Sequence, residues 1–285
     1  EYNCAKYSIN PAAYSKLVKQ YGESVTETII ENLNKPARPC IRFNDSKSSR
    51  EHAAILKSLG INFVYGGIVK SAIYPDINGP VSDLDLFQSG LVSIQDEGAQ
   101  EMGIFTSPKP NTNVLDACAS PGGKTVLMSC LMEGKGEITA CDIHPHRVEN
   151  MKKNFLRTKS SNIKSEKRDM SVRQDDFING FDTVLVDAPC SGIGTAQRRP
   201  EIKLFYKEDS SLYELQGNIL KNCAKYVKPG GELIYGTCTL FDEENRQIVD
   251  RLLGSNNEFG LSEERTVLPD GRAGGFYMAR LVRKA

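Results

Sequence analysis

Two cysteines follow apolar runs of the kind that form buried strands. Cys190 lies in Asp187-Ala188-Pro189-Cys190-Ser191-Gly192, after the run 182–186, and Cys238 lies in Tyr235-Gly236-Thr237-Cys238-Thr239, after the run 232–236. A thiol in such a place suits attack on an electron-poor carbon, provided its pKa is lowered. A lone cysteine there is more often a small packing residue. Two of them, one preceded by an aspartate closing its strand, favour chemistry. The third segment of interest is Asp116-Ala117-Cys118-Ala119-Ser120-Pro121-Gly122-Gly123-Lys124-Thr125, which follows the apolar run 113–117 and opens a helical pattern. Such a turn lets backbone approach a ligand closely, and a helix N-terminus favours a carboxylate or phosphate. Gly123-Lys124-Thr125 matches the end of a phosphate loop, but that motif needs glycine five residues before Gly123, where Cys118 stands, so a nucleoside-triphosphate site is excluded. Asp142 ends the next strand, where an acidic side chain either accepts ribose hydroxyls or caps the following helix. Asp169, beyond a third strand, is by itself a polar loop residue.

The elements that must position these residues alternate between strand and helix from about residue 92 onward. Strands are expected at 113–117, 137–141, 182–186, 232–236 and 276–282. Helices are expected at 124–132, behind Pro145 with the apolar stripe Val148, Met151 and Phe155, and at 211–226. Alternation of this kind predicts a parallel, doubly wound sheet with ligands at the carboxyl ends of its strands. Asp116, Asp142, Asp187 with Cys190, and Thr237 with Cys238 all fall at such ends. Before residue 89 the pattern is different. Apolar residues from Tyr14 to Leu33 recur at irregular helical spacing, 40–44 reads as a strand, and Ser48 caps a helix that stops at Gly60. The expected organisation is a small α+β domain over 1–88 and a Rossmann-like domain over 89–285.

Formal net charge is zero, so the placement of charge matters more than its sum. Residues 143–173 hold nine Lys or Arg against Glu149, Glu166 and Asp169, and Arg198, Arg199, Lys203 and Lys207 form a second basic knot. Solvated faces account for both, and a phosphate-binding surface is compatible with them. No apolar run has the length of a membrane span. The eight cysteines contain no CxxC pair, and His52, His144 and His146 give no zinc spacing, so neither metal nor disulfide is expected and the protein is read as reduced and cytoplasmic. The sequence begins Glu1-Tyr2-Asn3 without a methionine or a signal-peptide pattern, which reads as a processed or partial chain.

Asp116–Thr125, Asp142, Asp187-Ala188-Pro189-Cys190 and Thr237-Cys238, followed by Glu243-Glu244-Asn245, together resemble the motif set of the Sun/nucleolar-protein family of RNA (cytosine-5) methyltransferases. Further matches are Leu91–Asp96, Arg198-Arg199-Pro200-Glu201-Ile202-Lys203 and Gly274-Gly275-Phe276-Tyr277, so the resemblance covers nearly the whole chain. It implies a seven-stranded, mostly parallel Rossmann-like sheet and S-adenosyl-L-methionine (SAM) as cofactor. By the same resemblance Cys118, Ala119, Ser120, Pro121, Gly122, Gly123 and Lys124 wrap the methionine part of SAM, Asp142 its ribose and Asp169 the adenine side. Cys238 is implied as the nucleophile toward carbon 6 of cytosine, and Cys190 as the residue promoting its release. Asp187 stabilises ring nitrogen 3 and borders the cofactor, and Lys124 joins the catalytic set. Spacing alone does not choose between the two thiols, and it does not reveal the base that deprotonates carbon 5. The resemblance implies RNA as partner, ribosomal RNA first and transfer RNA second, with Arg38, Arg42, Arg198 and Arg199 as phosphate contacts and a monomeric state. A reactive cytosine must be unstacked, which predicts a groove between the small domain and the carboxyl edge of the sheet. The departures are Ser120 for the usual Ala, Thr239 for the frequent Ser, and no counterpart of the helical N-terminal domain carried by the family's ribosomal members. The rival readings are a silent RNA-binding assembly factor, which has no chemical need of both cysteines, and DNA methylation, which Thr237-Cys238 disfavours.

Overall fold

The computed structural model of the chain describes residues 2–45 and 47–285; Glu1, where the sequence opens, lies outside them. Strands β1 (Ile41–Phe43), β2 (Asn62–Tyr65), β3 (Ile73–Asp76) and β4 (Val92–Ile94) form an antiparallel sheet in the order β2-β3-β1-β4. Strands β5 (Asn113–Asp116), β6 (Glu137–Asp142), β7 (Ile163–Lys167), β8 (Phe181–Asp187), β9 (Val227–Thr237), β10 (Phe259–Val267) and β11 (Phe276–Arg283) form a seven-stranded sheet in the order β10-β11-β9-β8-β5-β6-β7. β5 pairs in parallel with both β6 and β8, and β6 with β7, whereas β9, β11 and β10 pair antiparallel. The expected α/β architecture with a mostly parallel sheet is therefore the observed one. The character of each strand follows its place. β8 has neighbours on both sides, and Thr183–Val186 are all buried, as in a strand covered on both faces. β7 lies at an edge and keeps Lys164 and Lys167 exposed, which discourages pairing with a further strand.

The chain clusters into two compact units that do not follow chain order. One comprises the residues up to Ala37, Met170–Gly180 and Val186–Ala285; the other comprises Arg38–Asp169 and Phe181–Leu185. The boundary expected near residue 88 falls inside the latter, between the helix Asp85–Gln88 and β4.

In the unit containing residues 38–169, Ile41, Phe43, Leu56, Ile73 and Val92 form the core of the small sheet. The helix Ser49–Ser58 is capped by Ser48 as expected, and Glu51 completes a reciprocal capping box with it. The helix Gly123–Leu131 connects β5 to β6, and Pro145–Arg157 connects β6 to β7 with Pro145 in its first position. Val148, Met151 and Phe155 bury against Ala119, Val126 and Ala140, so the expected stripe packs on the turn and helix after β5.

In the other unit, the irregular spacing over 14–33 resolves into two helices, Pro11–Tyr21 and Glu23–Leu33, broken at Gly22 with φ of 79°. Ala13, Leu17, Ile29, Ile30 and Leu33 pack against Ile193, Leu240 and Phe241. Lys203, part of the basic knot in sequence, is instead buried, and its ammonium donates to the carbonyl of Tyr7 at 2.9 Å and to Asn34 Oδ1. Among the described residues no helix is long and apolar enough to cross a membrane.

Candidate active site

The glycine turn is shaped mainly by backbone and closed by one side-chain pair. Asp116 closes β5 almost fully buried, and its Oδ2 accepts a hydrogen bond of 2.7 Å from Thr125 Oγ1 in the first turn of the following helix. This bond ties the two ends of the turn together. Between them Ala119 N donates to Cys141 O (2.8 Å), next to Asp142, and Gly122 N donates to Ala119 O (2.7 Å). The Ser120–Pro121 peptide is cis. Gly122 precedes the helix at φ of 95°, and a Cβ there would lie 2.7 Å from the Phe155 ring, so this position requires glycine twice over. The first amides of a helix have no intrahelical acceptor and point beyond its end, which suits the carboxylate of an amino-acid-like ligand.

Asp142 is nearly buried. Its Oδ1 accepts from His144 N at 2.9 Å and its Oδ2 lies 3.8 Å from Arg147, so the carboxylate turns the chain into the helix that Pro145 begins. Arg168 N donates to Asp142 O (3.1 Å), which brings the half-buried Asp169 to the same strand ends. The turn, Asp142 and Asp169 are thus assembled on one edge of this unit. Cys118, Ser120 and Lys124 are half-buried at the turn, and Pro121 is exposed.

Arg42 does not behave as the RNA contact expected from its sequence. It is 0% exposed. Its Nε donates to Gln95 Oε1 (2.6 Å), and its terminal nitrogens donate to Asn44 Oδ1 (2.7 Å) and to Gly123 O (3.0 Å). Burial lowers its pKa to about 10. A guanidinium occupied on every side cannot reach a phosphate, and Arg42 instead braces the glycine turn from the small sheet. Arg38, Arg198 and Arg199 are exposed; Arg38 lies over the Tyr74 ring at 6.0 Å, and Arg199 pairs with Glu201 at 3.2 Å. The basic stretch after Asp142 lines a cavity of about 560 Å³ with Lys152, Phe155, Leu156, Lys159 and Ile163.

The thiols lie in the other unit and are brought together by side chains. All eight cysteines are free, and Cys190 Sγ and Cys238 Sγ stand 3.3 Å apart. Hydrogen bonding to Cys238 and burial raise the Cys190 thiol well above its ordinary pKa of 9.0. Asp187, at the end of β8, is half-buried. The loop after Cys238 is shaped by Asn245, whose Oδ1 accepts from Thr237 Oγ1 (2.5 Å) and whose Nδ2 donates to Thr239 O (3.2 Å). Gly194 N donates to Cys238 O at 3.0 Å; a Cβ at Gly194 would collide with Gly275 O at 2.1 Å and Cys238 O at 2.8 Å. Sequence reasoning assigned no role to Glu244, Asn245, Ser191, Gln216 or Thr125. Glu244-Asn245 stood in the recognised motif, but burial is what distinguishes it from a solvated acidic turn.

A mostly parallel seven-stranded sheet with a glycine turn after one strand and an acidic residue ending the next is the Rossmann-like fold found in SAM-dependent methyltransferases. A sequence model of the 16S rRNA methyltransferase RsmB/F family matches residues 104–282. The probable ribosomal RNA small subunit methyltransferase B of Bacillus subtilis (strain 168) is 36% identical over 245 residues, 84% of this chain and 54% of that protein. The solved structure of PH0851 is 28% identical with a TM-score of 0.91 over 98% of this chain and 67% of its own. NSun6 from Pyrococcus horikoshii, solved with SFG, shares the fold at 19% identity with a TM-score of 0.82 over 95% of this chain and 97% of its own. The chain belongs to the 16S rRNA methyltransferase RsmB/F family, and it spans about half to two-thirds of the length of the curated relatives it matches.

Proposed function

We propose that the protein methylates carbon 5 of a cytosine in RNA, with small-subunit ribosomal RNA as substrate and Cys238 as covalent nucleophile. The observation that carries this reading is the pair of thiols 3.3 Å apart, in which contact with Cys238 and burial raise the Cys190 thiol above its ordinary range. If Cys190 keeps its proton and donates it to Cys238, Cys238 is the sulfur able to exist as thiolate. The choice of Cys238 over Cys190 as that sulfur rests on the family resemblance. The Cys238 sulfur adds to carbon 6 of the ring, and the electron density arriving at carbon 5 makes that carbon nucleophilic. Asp187 donates a proton, or a hydrogen bond through one it carries, to ring nitrogen 3, where negative charge develops. After methylation the carbon-5 proton leaves, the bond to Cys238 breaks and the ring double bond is restored, with Cys190 assisting that release.

Backbone geometry at Gly122, the buried Asp116–Thr125 tie and the strand-end carboxylate of Asp142 suit SAM: Cys118–Lys124 would hold its methionine part, Asp142 its ribose and Asp169 its adenine side. When bound, SAM supplies an electrophilic methyl group. Lys124, in the first turn of the helix Gly123–Leu131, would complete the catalytic set. Arg38, Arg198, Arg199 and the lysines of the 560 Å³ cavity are the proposed phosphate contacts. The relatives' names support ribosomal RNA, and such a substrate would place the protein in the cytoplasm. Cys190→Ala should trap a protein–RNA adduct that survives denaturant, and Cys238→Ala should form none and lose turnover. Adduct formation by the Cys238 variant, or transfer of label from SAM to DNA alone, would overturn the reading.

A further inference from the structure

Asp242-Glu243-Glu244 has the composition of an acidic surface turn, yet Glu244 is 0% exposed. Burying a carboxylate is costly unless it is fully hydrogen-bonded. Glu244 Oε2 accepts from Ser191 N at 2.8 Å and from Gln216 Nε2 at 3.0 Å. Its Oε1 accepts from Ser191 Oγ and, at 3.4 Å, from Thr239 Oγ1. Ser191 Oγ and Thr239 Oγ1 are themselves 2.8 Å apart. These two hydroxyl residues are the ones that immediately follow Cys190 and Cys238. Gln216 also donates to Pro189 O at 2.8 Å, on the other side of Cys190, and Tyr235 OH donates to Glu244 O at 2.6 Å. One carboxylate is therefore fastened to both cysteine-bearing loops, while its own backbone is held by the strand that leads to Cys238.

Resting on the covalent reading above, we infer that Glu244 is a positioning residue for the thiol pair: its carboxylate clips the loop after Cys190 to the loop after Cys238 and sets the distance between the two sulfurs. The charge acts in the same sense, because a buried anion facing Cys190 opposes its ionisation. Glutamine at this position keeps one carbonyl acceptor for Ser191 N and Gln216, and its amide can donate to the two hydroxyls, which also accept. Alanine removes every tie.

The test uses the full chain with diamide, which takes one hydrogen from each of two thiols, is reduced to a hydrazine and leaves a disulfide. The rate of the Cys190–Cys238 cross-link, read by peptide mapping, is a ruler for their separation. Glu244→Ala should slow it by about tenfold or more, Glu244→Gln should recover it to within about threefold of the parent, and SAM affinity should hold within about twofold. A residue that served stability alone would lower the melting temperature and leave cross-linking in the folded protein unchanged; that result, or cross-linking by Glu244→Ala within about twofold of the parent, overturns the inference. If Glu244→Ala does not fold, the double variant Ser191→Ala, Thr239→Val removes the hydroxyl ties and is judged by the same criterion. In a Cys190→Ala background, Glu244→Ala should also slow RNA adduct formation by about tenfold. Absence of any adduct in that background would defeat the covalent reading, while the cross-linking rates, which need no RNA, would still decide whether Glu244 sets the sulfur separation.

Discussion

The glycine turn and the thiol pair are held by different means. At the turn, positive φ at Gly122, the Ala119–Cys141 backbone bond and a close fit against Phe155 fix the shape, with Arg42 bracing one carbonyl from the small sheet. At the thiols, the loops are fixed chiefly by side chains arriving from residues 216, 244 and 245, with one backbone bond from Gly194 N to Cys238 O. A site made of backbone tolerates almost no change at its glycines. A site made of converging side chains loses its geometry in steps, one hydrogen bond at a time.

Gly122→Ala is the most severe way to break this contrast. It adds left-handed strain of about 1–3 kcal/mol and a clash of similar cost with Phe155, so SAM affinity measured by calorimetry should fall by about tenfold or more. Cys190–Cys238 cross-linking should be unaffected; if it falls in parallel, the two sites are not independently held. Arg42→Met comes next. It leaves Gly123 O, Gln95 Oε1 and Asn44 Oδ1 without their buried donor, a loss of roughly 1–3 kcal/mol in chemical denaturation with a severalfold weaker SAM affinity. Loss of RNA affinity at unchanged SAM affinity would restore Arg42 to the phosphate-contacting set. Thr237→Val removes one bond to Asn245 and should cost about 1 kcal/mol, lowering turnover but not SAM binding.

The smallest effect is on pH response. Because the folded Cys190 thiol titrates above its ordinary 9.0, it stays neutral and unreactive there, and iodoacetamide should modify it in the folded protein only at more alkaline pH. The sign for stability agrees: the unfolded thiol ionises first, so this contribution is intact below the unfolded pKa and is lost as pH rises through the folded one. Ready alkylation of Cys190 at pH 8 would contradict the proton assignment within the pair.

What the sequence made legible follows from the same contrast. Glycine and proline announce backbone conformation directly, so the turn at 116–125, the helix behind Pro145 and the parallel strands could be read locally. β10, with Glu263, Glu264 and Arg265 in its centre, lies at the sheet edge, where one partner strand suffices and apolar composition is not required. β2 and β3 are short and belong to the antiparallel sheet, and nothing in their spacing separates them from loop. Arg42 and Lys203 read as surface cations because charge is a property of one residue, whereas burial depends on acceptors supplied far along the chain. Gln95 and Asn34 could not be assigned to them from spacing. Glu244 escaped for that reason too: its partners at 191, 216 and 239 converge only in the fold.

The paired helices over residues 11–33 bury their apolar faces on Ile193, Leu240 and Phe241, and Gln20 and Tyr21 donate to Leu240 O at 3.0 and 2.9 Å. During synthesis the helical segment is made long before the residues it covers. It must wait through the intervening stretch with its greasy side unsatisfied, and the loop downstream of Cys238 cannot settle until the two meet. Maturation of the loop around Cys238 is thus tied to closure of a very long chain segment, a slow event compared with forming the glycine turn from neighbours.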